Sequence, residues 1–543
     1  MGGLTFDWLQ QDSYFSGGLS DVPRRAQGLL GQRAACFVVR NQPVEFPCRL
    51  LRRLATYAGC DLNVQLSAYD DSLLSLPPEP VAAELIWPDW MRVPDTELQV
   101  LLDGIGARPG EAPTTLVLPA AGARLDQVRD WAAERGVATL AFPPAAGEAS
   151  AAVRRFSGSS LDSHAQLAIA RHLLLEWLLP ALLPPLKLLV VDLDNTVYSG
   201  VLAEDGVSRL TVTAAQREVS MLIDSLAAGG VLVAAVSRNS QTDVDALLRD
   251  WPPGLFRQEN LVAAIGTDQN KGHAMRDLID RFQTVPESIA FLDDNPGEIR
   301  AACTVLPDLW PIVASDQPAT RRLLSAQHAR SRVLSPGAGR ARRADAAAQD
   351  ARLTVRADSA TADELHRSLQ TRLIVRPATA EDLPRVSELL ERTNQFNVSL
   401  RRTSLASLVA KQGLPDRVVV LAELRDRFAD SGVIAVLLTR RRETVLHIEE
   451  LAISCRALGR HLETPIVAAL LECAGAIDQH VEVQPVAGPR NGPALAWLAS
   501  VSRGPADTEG LVRLDVVSLL AEAAQLKFIH VRDTSDKEEM NDD

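Results

Sequence analysis

The stretch LKLLVVDLDNT, residues 186–196, decides how the middle of the chain folds. Apart from Lys187, its first six residues are apolar and do not alternate with polar ones. Such a run is typical of a strand that is buried on both faces of a parallel sheet. Asp192 and Asp194 follow directly, and ligands of open parallel sheets bind beyond the carboxyl ends of the strands. The stretch therefore predicts a buried strand with two carboxylates placed for chemistry.

Two further apolar runs of the same kind lie downstream. GGVLVAAVS covers residues 229–237, and ESIAFLDDN covers residues 287–295. Together with the helical patterns between them, the runs predict an α/β domain with a parallel sheet over residues 184–330. Because parallel strands present their carboxyl ends at one edge of the sheet, the residues that follow each run are expected to meet there.

Carboxylates at the ends of these runs indicate phosphate chemistry with a metal ion. Asp192 could attack phosphorus as a nucleophile, and Asp194 could protonate the leaving oxygen and later activate water. Asp293 and Asp294 add acidic oxygens at the end of another run. A hard divalent cation such as Mg²⁺ would hold these oxygens together with a phosphate group.

Polar and basic residues at the other strand ends could bind the phosphate. Ser237, Arg238 and Asn239 offer a hydroxyl and loop amides, and Lys271, in DQNKGHAMRDL, can supply a fixed positive charge. The alternative is a purely structural role, in which the aspartates cap helices and the lysine is a solvated surface residue. The order of the motifs, each after a buried-strand pattern, favours a phosphotransfer site.

Taken together, these four motifs resemble those of the haloacid dehalogenase-like (HAD) phosphatase superfamily. The runs LVVDLDNTVYSGVLAEDGV, FLDDNPGEIR, RTNQFNVSLRRTS and ISCRALGR also resemble, in this order, the FkbH-like family of polyketide biosynthesis, over residues 186–523. The resemblance implies a glyceryl transferase and phosphatase. Such an enzyme takes the glyceryl unit of 1,3-bisphosphoglycerate, removes phosphate, and loads the unit as a thioester onto the phosphopantetheine arm of an acyl carrier protein.

The resemblance also implies roles for the acidic residues. Asp192 would be the nucleophile and Asp194 the acid and base. Mg²⁺ would be held by Asp192, Asp293 and the main-chain carbonyl of Asp194, with Asp294 as a supporting neighbour of these ligands.

The resemblance also has implications for phosphate binding and for the shape of the pocket. The resemblance implies that Ser237 and Lys271 contact the phosphate. Tyr198 and Ser199 stand where the family commonly has Trp-Gly, so the pocket beside the nucleophile is expected to differ from the family pattern.

The C-terminal residues 369–530 predict a mixed α/β domain, because the strand-like runs RVVVLAEL, GVIAVLLTR and TVLHIEELAIS are joined by polar turns. The last run and the residues after it resemble the strand, loop and helix by which GNAT-like acetyltransferase folds hold a pantetheine chain along the strand. The resemblance implies that Arg456, Gly459 and Arg460 bind the phosphopantetheine of a carrier protein.

Cys455 stands where a pantetheine thiol would approach in such a fold. A thiolate there, stabilised by the helix N-terminus and the arginines, could take the glyceryl group and pass it to the carrier thiol. The alternative is a small core residue, since cysteine is among the most buried residue types. Asn394, Gln395 and Asn397 match the family motif RTNQFN and could line the acyl pocket, or could be polar turn residues.

The remaining segments complete a three-domain prediction. Residues 1–183 alternate short apolar runs with helical stretches, which predicts an α/β domain that loosely resembles the SGNH-like leading domain of the same family. Since no Gly-Asp-Ser block occurs there, we expect scaffolding or carrier docking and no catalysis. Residues 331–368 predict a helical or loose linker, and residues 531–543 an acidic, frayed tail.

Length and composition exclude several classes of protein for this chain. A length of 543 residues suits about three domains, and a hydrophobic fraction of 46% with 23% charged residues excludes a wholly disordered chain. The formal net charge of −13 argues against a nucleic-acid partner. Six cysteines without a C-x-x-C pair, no basic start before an apolar run, and prolines within the most apolar stretch predict a cytoplasmic protein without a membrane span.

Two other functions stay open at this point. The first is a Mg²⁺-dependent small-molecule phosphatase whose GNAT-like domain only binds a partner. The second is an N-acyltransferase that the middle domain regulates. His461 disfavours the second, because it stands where the acetyltransferase pattern has a small residue.

Overall fold

The described part of the chain folds into two compact units that contain three β-sheets. The computed structural model describes residues 32–57, 60–108, 112–119, 122–135, 137–142, 163–182, 186–314, 338–359, 361–401, 403, 405–458, 460–476, 480–488, 490–508, 510–523 and 529–531. One unit comprises Met1–Ile279 and Val285–Val333, and the other comprises Asp280–Thr284 and Leu334–Asp543. Of the sequence predictions, Gly459 and nearly all of the tail at residues 531–543 lie outside the described residues.

The N-terminal part forms a parallel sheet with helices around it. Its strands are β1 (Gln32–Arg40), β2 (Cys60–Tyr69), β3 (Ala83–Trp87), β4 (Thr114–Val117) and β5 (Ala138–Leu140), in the order β2-β1-β3-β4-β5. Its helices are α1 (Glu45–Tyr57), α2 (Leu98–Gly106), α3 (Ala123–Arg135), α4 (Ser163–His172) and α5 (Leu179–Leu182), with a π-helical segment at Leu173–Leu178. The predicted α/β alternation is confirmed, and the likeness to SGNH domains stays a prediction.

The middle of the chain forms a second parallel sheet, which carries the candidate site. Its strands are β6 (Leu188–Val191), β7 (Leu232–Ser237), β8 (Leu261–Gly266), β9 (Ile289–Asp293) and β10 (Trp310–Val313), in the order β10-β9-β6-β7-β8. Its helices are α6 (Leu202–Asp205), α7 (Ala214–Ala228), α8 (Gln241–Arg249), α9 (Lys271–Arg281) and α10 (Pro296–Val305), and short 3₁₀ turns lie at Val207–Arg209, Gln258–Asn260 and Pro286–Ser288. Every residue of β6, β7 and β9 is buried, as the unbroken apolar runs predict.

The two parallel sheets share a continuous apolar core. Buried side chains run from Leu51 and Leu54 of α1, through Leu174 and Trp177, to Leu189 of β6. Burial of this surface is the main force that holds the first unit together. No described helix is long and apolar enough to cross a membrane.

The C-terminal part forms a mixed seven-stranded sheet. Its strands are β11 (Arg372–Pro377), β12 (Arg417–Arg425), β13 (Asp430–Arg442), β14 (Val445–Ile453), β15 (His480–Val483), β16 (Val512–Arg513) and β17 (Ile529–Val531), in the order β16-β15-β14-β13-β12-β11-β17. Strands β11 to β14 pair in antiparallel fashion, whereas β14 pairs with β15 in parallel. The predicted mixed α/β architecture is confirmed.

Helices cover both faces of this sheet. They are α11 (Ala338–Ala347), α12 (Gln349–Ala357), α13 (Ala362–Ser368), α14 (Leu383–Arg392), α15 (Leu405–Lys411), α16 (Glu463–Cys473), α17 (Gly492–Ser500) and α18 (Val516–Ala523), with a 3₁₀ turn at Ala380–Asp382. On β13, Val436 and Leu438 pack with α14, while Ala435 and Leu437 pack with α16, because successive side chains of a strand point to opposite faces.

The described part of the segment predicted as a linker, residues 331–368, is helical. Helices α11 and α12 belong to the same compact unit as the third sheet. Arg352 of α12 contacts Asp345 of α11 at 2.8 Å and Asp426, which follows β12, at 2.7 Å. These buried ion pairs attach both helices to the sheet.

Candidate active site

The carboxylates of the middle domain lie at the carboxyl ends of two neighbouring strands. Strand β6 ends at Val191, and the amide of Asp192 donates to the carbonyl oxygen of Leu292 on β9 at 2.8 Å. Asp293 is the last residue of β9. The pairing of β6 with β9 therefore brings both aspartates to one edge of the sheet, as the sequence predicts.

Lys271 joins these two carboxylates. Its Nζ lies 2.6 Å from Oδ1 of Asp192 and 2.7 Å from Oδ2 of Asp293. All three side chains are buried, and α9 begins at Lys271, which fixes the position of its side chain. Asp294 completes the group, since Asp192, Asp293 and Asp294 each offer an oxygen within 4.8 Å of the others.

The electrostatics of this group fit a divalent cation. Burial raises the pKa of Asp192 to about 6, although Lys271 opposes the rise, and burial raises the pKa of Asp293 and of Asp294 as well. Burial alone would lower the pKa of Lys271, but the two carboxylates outweigh it and raise the pKa. Two carboxylates contact this ammonium group and the partly buried Asp294 lies beside them, so an excess of negative charge remains. Carboxylate oxygens are the ligands that Mg²⁺ prefers, so the residues present fit this ion.

Asp194 lies beside the cluster, but its carboxylate accepts hydrogen bonds from residues outside the cluster. Its Oδ1 accepts hydrogen bonds from the hydroxyl of Tyr198 at 2.7 Å and from the amide of Leu202 at 3.1 Å, and its Oδ2 accepts one from Nδ2 of Asn239 at 3.0 Å. These contacts leave its main-chain carbonyl, and not its side chain, as a possible metal ligand. Tyr198 is fully buried.

The residues after β7 form a compact loop next to Asp194. Nδ2 of Asn239 donates to Oγ of Ser237 at 2.8 Å, which places the hydroxyl at the same sheet edge as the carboxylates. Arg238 turns outward and contacts Glu298 at 3.0 Å, so its guanidinium is already paired. Gly266 makes room for this loop, because a Cβ there would lie 2.6 Å from the carbonyl oxygen of Asn239.

Thr196 is a site residue to which the sequence reasoning gave no role. Its hydroxyl donates to Oδ2 of Asp192 at 3.3 Å and accepts a hydrogen bond from the amide of Asp294 at 3.0 Å. It thereby ties together the segments that follow β6 and β9. The spacing D-x-D-x-T was the available signal, since it puts a hydroxyl one turn beyond the first aspartate.

In the second unit, Cys455 follows β14 and is partly exposed. Arg456, the next residue, donates from Nη2 to the carbonyl oxygen of Val433 at 3.2 Å and from Nη1 to that of Ser431. The guanidinium of Arg456 therefore contacts the first residues of β13.

Arg460 takes part in a buried ion-pair network. Its guanidinium lies 3.3 Å from Asp426 and 3.5 Å from Asp345, both of which also pair with Arg352. Since Arg460 is engaged inside the unit, contact with a carrier phosphate stays a prediction for it, as for Gly459. His461 has a φ of 59°, in the left-handed region that favours glycine.

The free edge of β14 is covered by the protein itself. The amide of Val398 donates to the carbonyl oxygen of Leu451 at 3.1 Å, and the amide of Ile453 donates to that of Phe396 at 2.9 Å. The expectation that a pantetheine arm lies along this part of the strand stays a prediction, and the arm would have to displace these residues. Residues 396–398 already form the main-chain hydrogen bonds that the arm would need.

Asn397 and the main chain of Gln395 hold this covering segment in place. Asn397 is fully buried, its Oδ1 accepts from the amide of Leu400 at 2.8 Å, and its carbonyl oxygen accepts from Asn491 at 2.9 Å. Asn394 is buried as well, and the carbonyl oxygen of Gln395 accepts from the amide of Ala494 at 3.3 Å. A role for the three side chains in an acyl pocket stays a prediction.

Comparison with known proteins gives distant structural likenesses. No protein-family model matches the chain, and no curated protein matches it. One solved structure is the N-terminal part of the protein BF1531 from Bacteroides fragilis, containing a phosphatase domain complexed with Mg. It is 13% identical, covers 56% of this chain and 95% of its own, and has a TM-score of 0.45.

A second solved structure is similar to part of the chain. It is the ribosomal-protein-S18-alanine N-acetyltransferase from Escherichia coli, at 14% identity, with 26% of this chain and 88% of that chain covered and a TM-score of 0.20. At these TM-scores, neither likeness by itself assigns an activity to the chain.

Proposed function

We propose that this protein is a Mg²⁺-dependent phosphatase and acyltransferase that loads a glyceryl unit from 1,3-bisphosphoglycerate onto an acyl carrier protein. The observation that carries the proposal is the contact of Lys271 with both Asp192 and Asp293, with Asp294 close by. A buried cluster of carboxylates and one ammonium, at the carboxyl edge of a parallel sheet, suits the binding and transfer of a phosphoryl group.

Asp192, Asp293 and the carbonyl of Asp194 would hold Mg²⁺, with Asp294 beside them. The ion would supply neutralisation of the phosphate and of the carboxylates. Asp192 attacks the phosphorus of the phosphate ester, a P–O bond to Asp192 forms, and the P–O bond to the glyceryl oxygen breaks. Asp194 gives its proton to that oxygen.

Release of phosphate reverses the role of Asp194. It takes a proton from water, the water oxygen bonds to phosphorus, and the bond to Asp192 breaks, which restores the free carboxylate. Lys271 and the hydroxyl of Ser237 contact the phosphoryl oxygens during both steps. Burial of the site keeps these interactions strong.

Loading of the carrier is assigned to Cys455. Its thiolate attacks the carbonyl carbon of the acyl phosphate, a C–S bond forms, and the C–O bond to phosphate breaks. The carrier thiolate then attacks the resulting thioester and frees Cys455. Partial exposure of Cys455 supports this step, since a buried thiol could not meet either substrate.

Intact-protein mass spectrometry tests the proposal. A holo carrier protein, incubated with the enzyme, 1,3-bisphosphoglycerate and Mg²⁺, should gain the mass of a glyceryl group, and excess chelator should stop release of the ester phosphate. Asp192→Asn should abolish release of the ester phosphate, whereas Asp245→Asn, at an exposed position on α8, should not. A panel of holo carriers that all stay unloaded would contradict the proposal.

A plain phosphatase with a partner-binding C-terminal domain is the second candidate. The covered edge of β14 and the internal contacts of Arg460 favour it, because both reduce what is left for a pantetheine arm. It requires phosphate release that needs no carrier and survives Cys455→Ser unchanged, with no glyceryl on any carrier. The N-acyltransferase alternative has no such support, since acetyl-coenzyme A would need the same edge.

A further inference from the structure

The loop that carries Cys455 is held by helices that precede the third sheet in the chain. This loop, residues 454–460, follows β14 and is called the Cys455 loop below. Asp345 of α11 is buried, and its Oδ1 lies 3.5 Å from the guanidinium of Arg460, at the end of the loop. The same oxygen accepts a hydrogen bond from the hydroxyl of Ser431 at 2.6 Å. One buried carboxylate of α11 therefore connects the end of the loop with β13.

Ser431 joins Asp345 to the other end of the loop. Its hydroxyl donates to Asp345, while its carbonyl oxygen accepts a hydrogen bond from Nη1 of Arg456. Arg456 directly follows Cys455 in the chain. Asp345 is therefore connected to the loop on both sides of the cysteine, to Arg456 through Ser431 and to Arg460 directly.

Two other helices of the same segment support the end of the loop. Nε2 of His366, on α13, donates to the carbonyl oxygen of Arg460 at 2.8 Å. Arg352 of α12 lies 2.8 Å from Asp345 and 2.7 Å from Asp426, which is the second partner of Arg460. His366, Arg352 and Asp345 are all buried, so solvent does little to weaken these contacts. All three helices belong to the segment that the sequence predicts as a linker.

Helix α11 also passes close to the thiol itself. Burial lowers the pKa of Arg342, one turn before Asp345, and Cys455 is the first group that opposes this lowering. Such an effect requires the sulfur to lie nearby, since Coulombic interactions weaken with distance. Residues three apart on a helix lie on the same face. One face of α11 therefore brings an arginine near the sulfur and an aspartate to the residues that hold the loop.

We infer that Asp345 is a positioning residue for acyl transfer, which fixes the Cys455 loop through Ser431 and Arg460. The inference rests on the proposed function and makes α11 a part of the transfer site. Attack on an acyl group needs the sulfur about 3–3.5 Å from the carbonyl carbon, and a displacement of about 1 Å can lower the rate about 100-fold. A buried carboxylate that is connected to the loop on both sides of the nucleophile prevents such a displacement.

Asp345→Asn tests the inference, because it keeps the size of the side chain and removes its charge. In the full chain, the kcat of carrier loading should fall about 10-fold or more, while the KM for 1,3-bisphosphoglycerate stays within about 2-fold. Release of the ester phosphate, assayed without a carrier, should keep the wild-type rate, because the carboxylates that perform it lie in the other unit. Asp358→Asn, exposed at the end of α12, is the matched control and should change none of these values.

Hydrogen exchange measures the loop itself and needs no turnover. The amides of Ala457 and Leu458 donate to the carbonyl oxygens of Ser454 and Cys455, within the loop. Asp345→Asn should lower the protection of these two amides about 10-fold and leave that of β12 and β13 unchanged. Equal loss of protection throughout the third sheet would show that Asp345 only stabilises the unit, and would overturn the inference. A wild-type kcat of loading in a variant whose loop has lost protection would overturn it as well.

Ser431→Ala keeps the test decisive if Asp345→Asn does not fold. It removes one hydrogen bond to Asp345 and leaves both arginine partners in place, so loop protection and the kcat of loading should each fall about 3-fold. Unchanged values of both would overturn the inference. If the wild type loads no carrier while Asp345→Asn still releases the loop, the proposed function fails and the hold of Asp345 on the loop stands.

Discussion

The hydroxyl of Tyr198 donates a hydrogen bond of 2.7 Å to Oδ1 of Asp194. The amide of Leu202, at the start of α6, supports the same oxygen, and Asn239 holds the other one. Three donors from three segments therefore fix one carboxylate. In the proposed function this carboxylate carries the proton, so its orientation sets the rate of phosphate release.

Tyr198→Phe removes one of these donors and leaves the ring. A hydrogen bond to a charged group contributes about 1.5 kcal/mol or more, so we expect the kcat of phosphate release to fall about 10-fold with little change in KM. Steady-state kinetics measure both. Tyr69→Phe is the control, because the Tyr69 hydroxyl lies 3.4 Å from Glu45 at an exposed place. Equal kcat values for Tyr198→Phe and the wild type would show that Asp194 needs no support from Tyr198.

Lys271→Met should reveal the repulsion among the carboxylates. Without Lys271, the buried Asp192 and Asp293 lose a partner at 2.6 and 2.7 Å, and loss of one partner of a buried pair costs about 3 kcal/mol or more. Urea unfolding in chelator should show this loss. Mg²⁺ should restore part of the stability, because the ion neutralises the same oxygens.

The control for this variant is Lys411→Met. Lys411 contacts Glu449 at 3.1 Å but is more exposed, so its loss should cost less than about 1 kcal/mol with or without Mg²⁺. If Mg²⁺ shifted the unfolding of neither Lys271→Met nor Lys411→Met, the cluster would not bind the ion.

Glu176 should make the first unit less stable as pH rises. Burial within the π-helical segment raises its pKa from 4.5 to about 7. The folded state therefore binds a proton more tightly than the unfolded state, and stability falls as pH rises from about 4.5 to about 7. Glu176→Gln should remove this slope and stabilise the protein on the order of 2 kcal/mol at pH 8 relative to pH 5. Unfolding at several pH values measures the difference, and Glu134→Gln, at an exposed position, should match the wild type throughout.

The sequence was sufficient to predict the parallel sheet of the middle domain and its acidic edge. Unbroken apolar runs permit few structures other than buried strands, and Asp192 and Asp293 must then lie at the same edge. The direction of each side chain was not predictable in this way. Arg238 turns to Glu298 because an acidic partner from α10 lies beside it, which a motif of consecutive residues does not contain.

In the C-terminal unit, too, local motifs do not predict which residues a side chain contacts. The motif ISCRALGR predicts a strand and a loop, but the contacts of Arg460 depend on Asp345, which lies 115 residues earlier in the chain. The covered edge of β14 likewise depends on residues 396–398, and the polar residues just before them, Asn394 and Gln395, resemble an ordinary turn. Contacts between residues that are distant in the sequence determine both features, and the local sequence pattern does not predict such contacts.

Asn491 is the residue whose loss should uncover the edge of β14. It is fully buried, its Nδ2 donates to the carbonyl oxygens of Asn397 and Val486 at 2.9 and 2.8 Å, and its Oδ1 accepts from the amide of Gly488 at 2.8 Å. Asn491→Ala leaves these main-chain groups without a partner, at a cost of about 3 kcal/mol. Hydrogen exchange should accelerate at the amides of residues 398 and 453, whose bonds close the edge, while the amides of β6 and β9 keep their protection. Ser500→Ala, at the exposed end of α17, should change neither stability nor exchange. Unchanged exchange at residues 398 and 453 in Asn491→Ala would mean that the covering segment is held by its apolar side chains, Phe396 and Val398, and not by the asparagine.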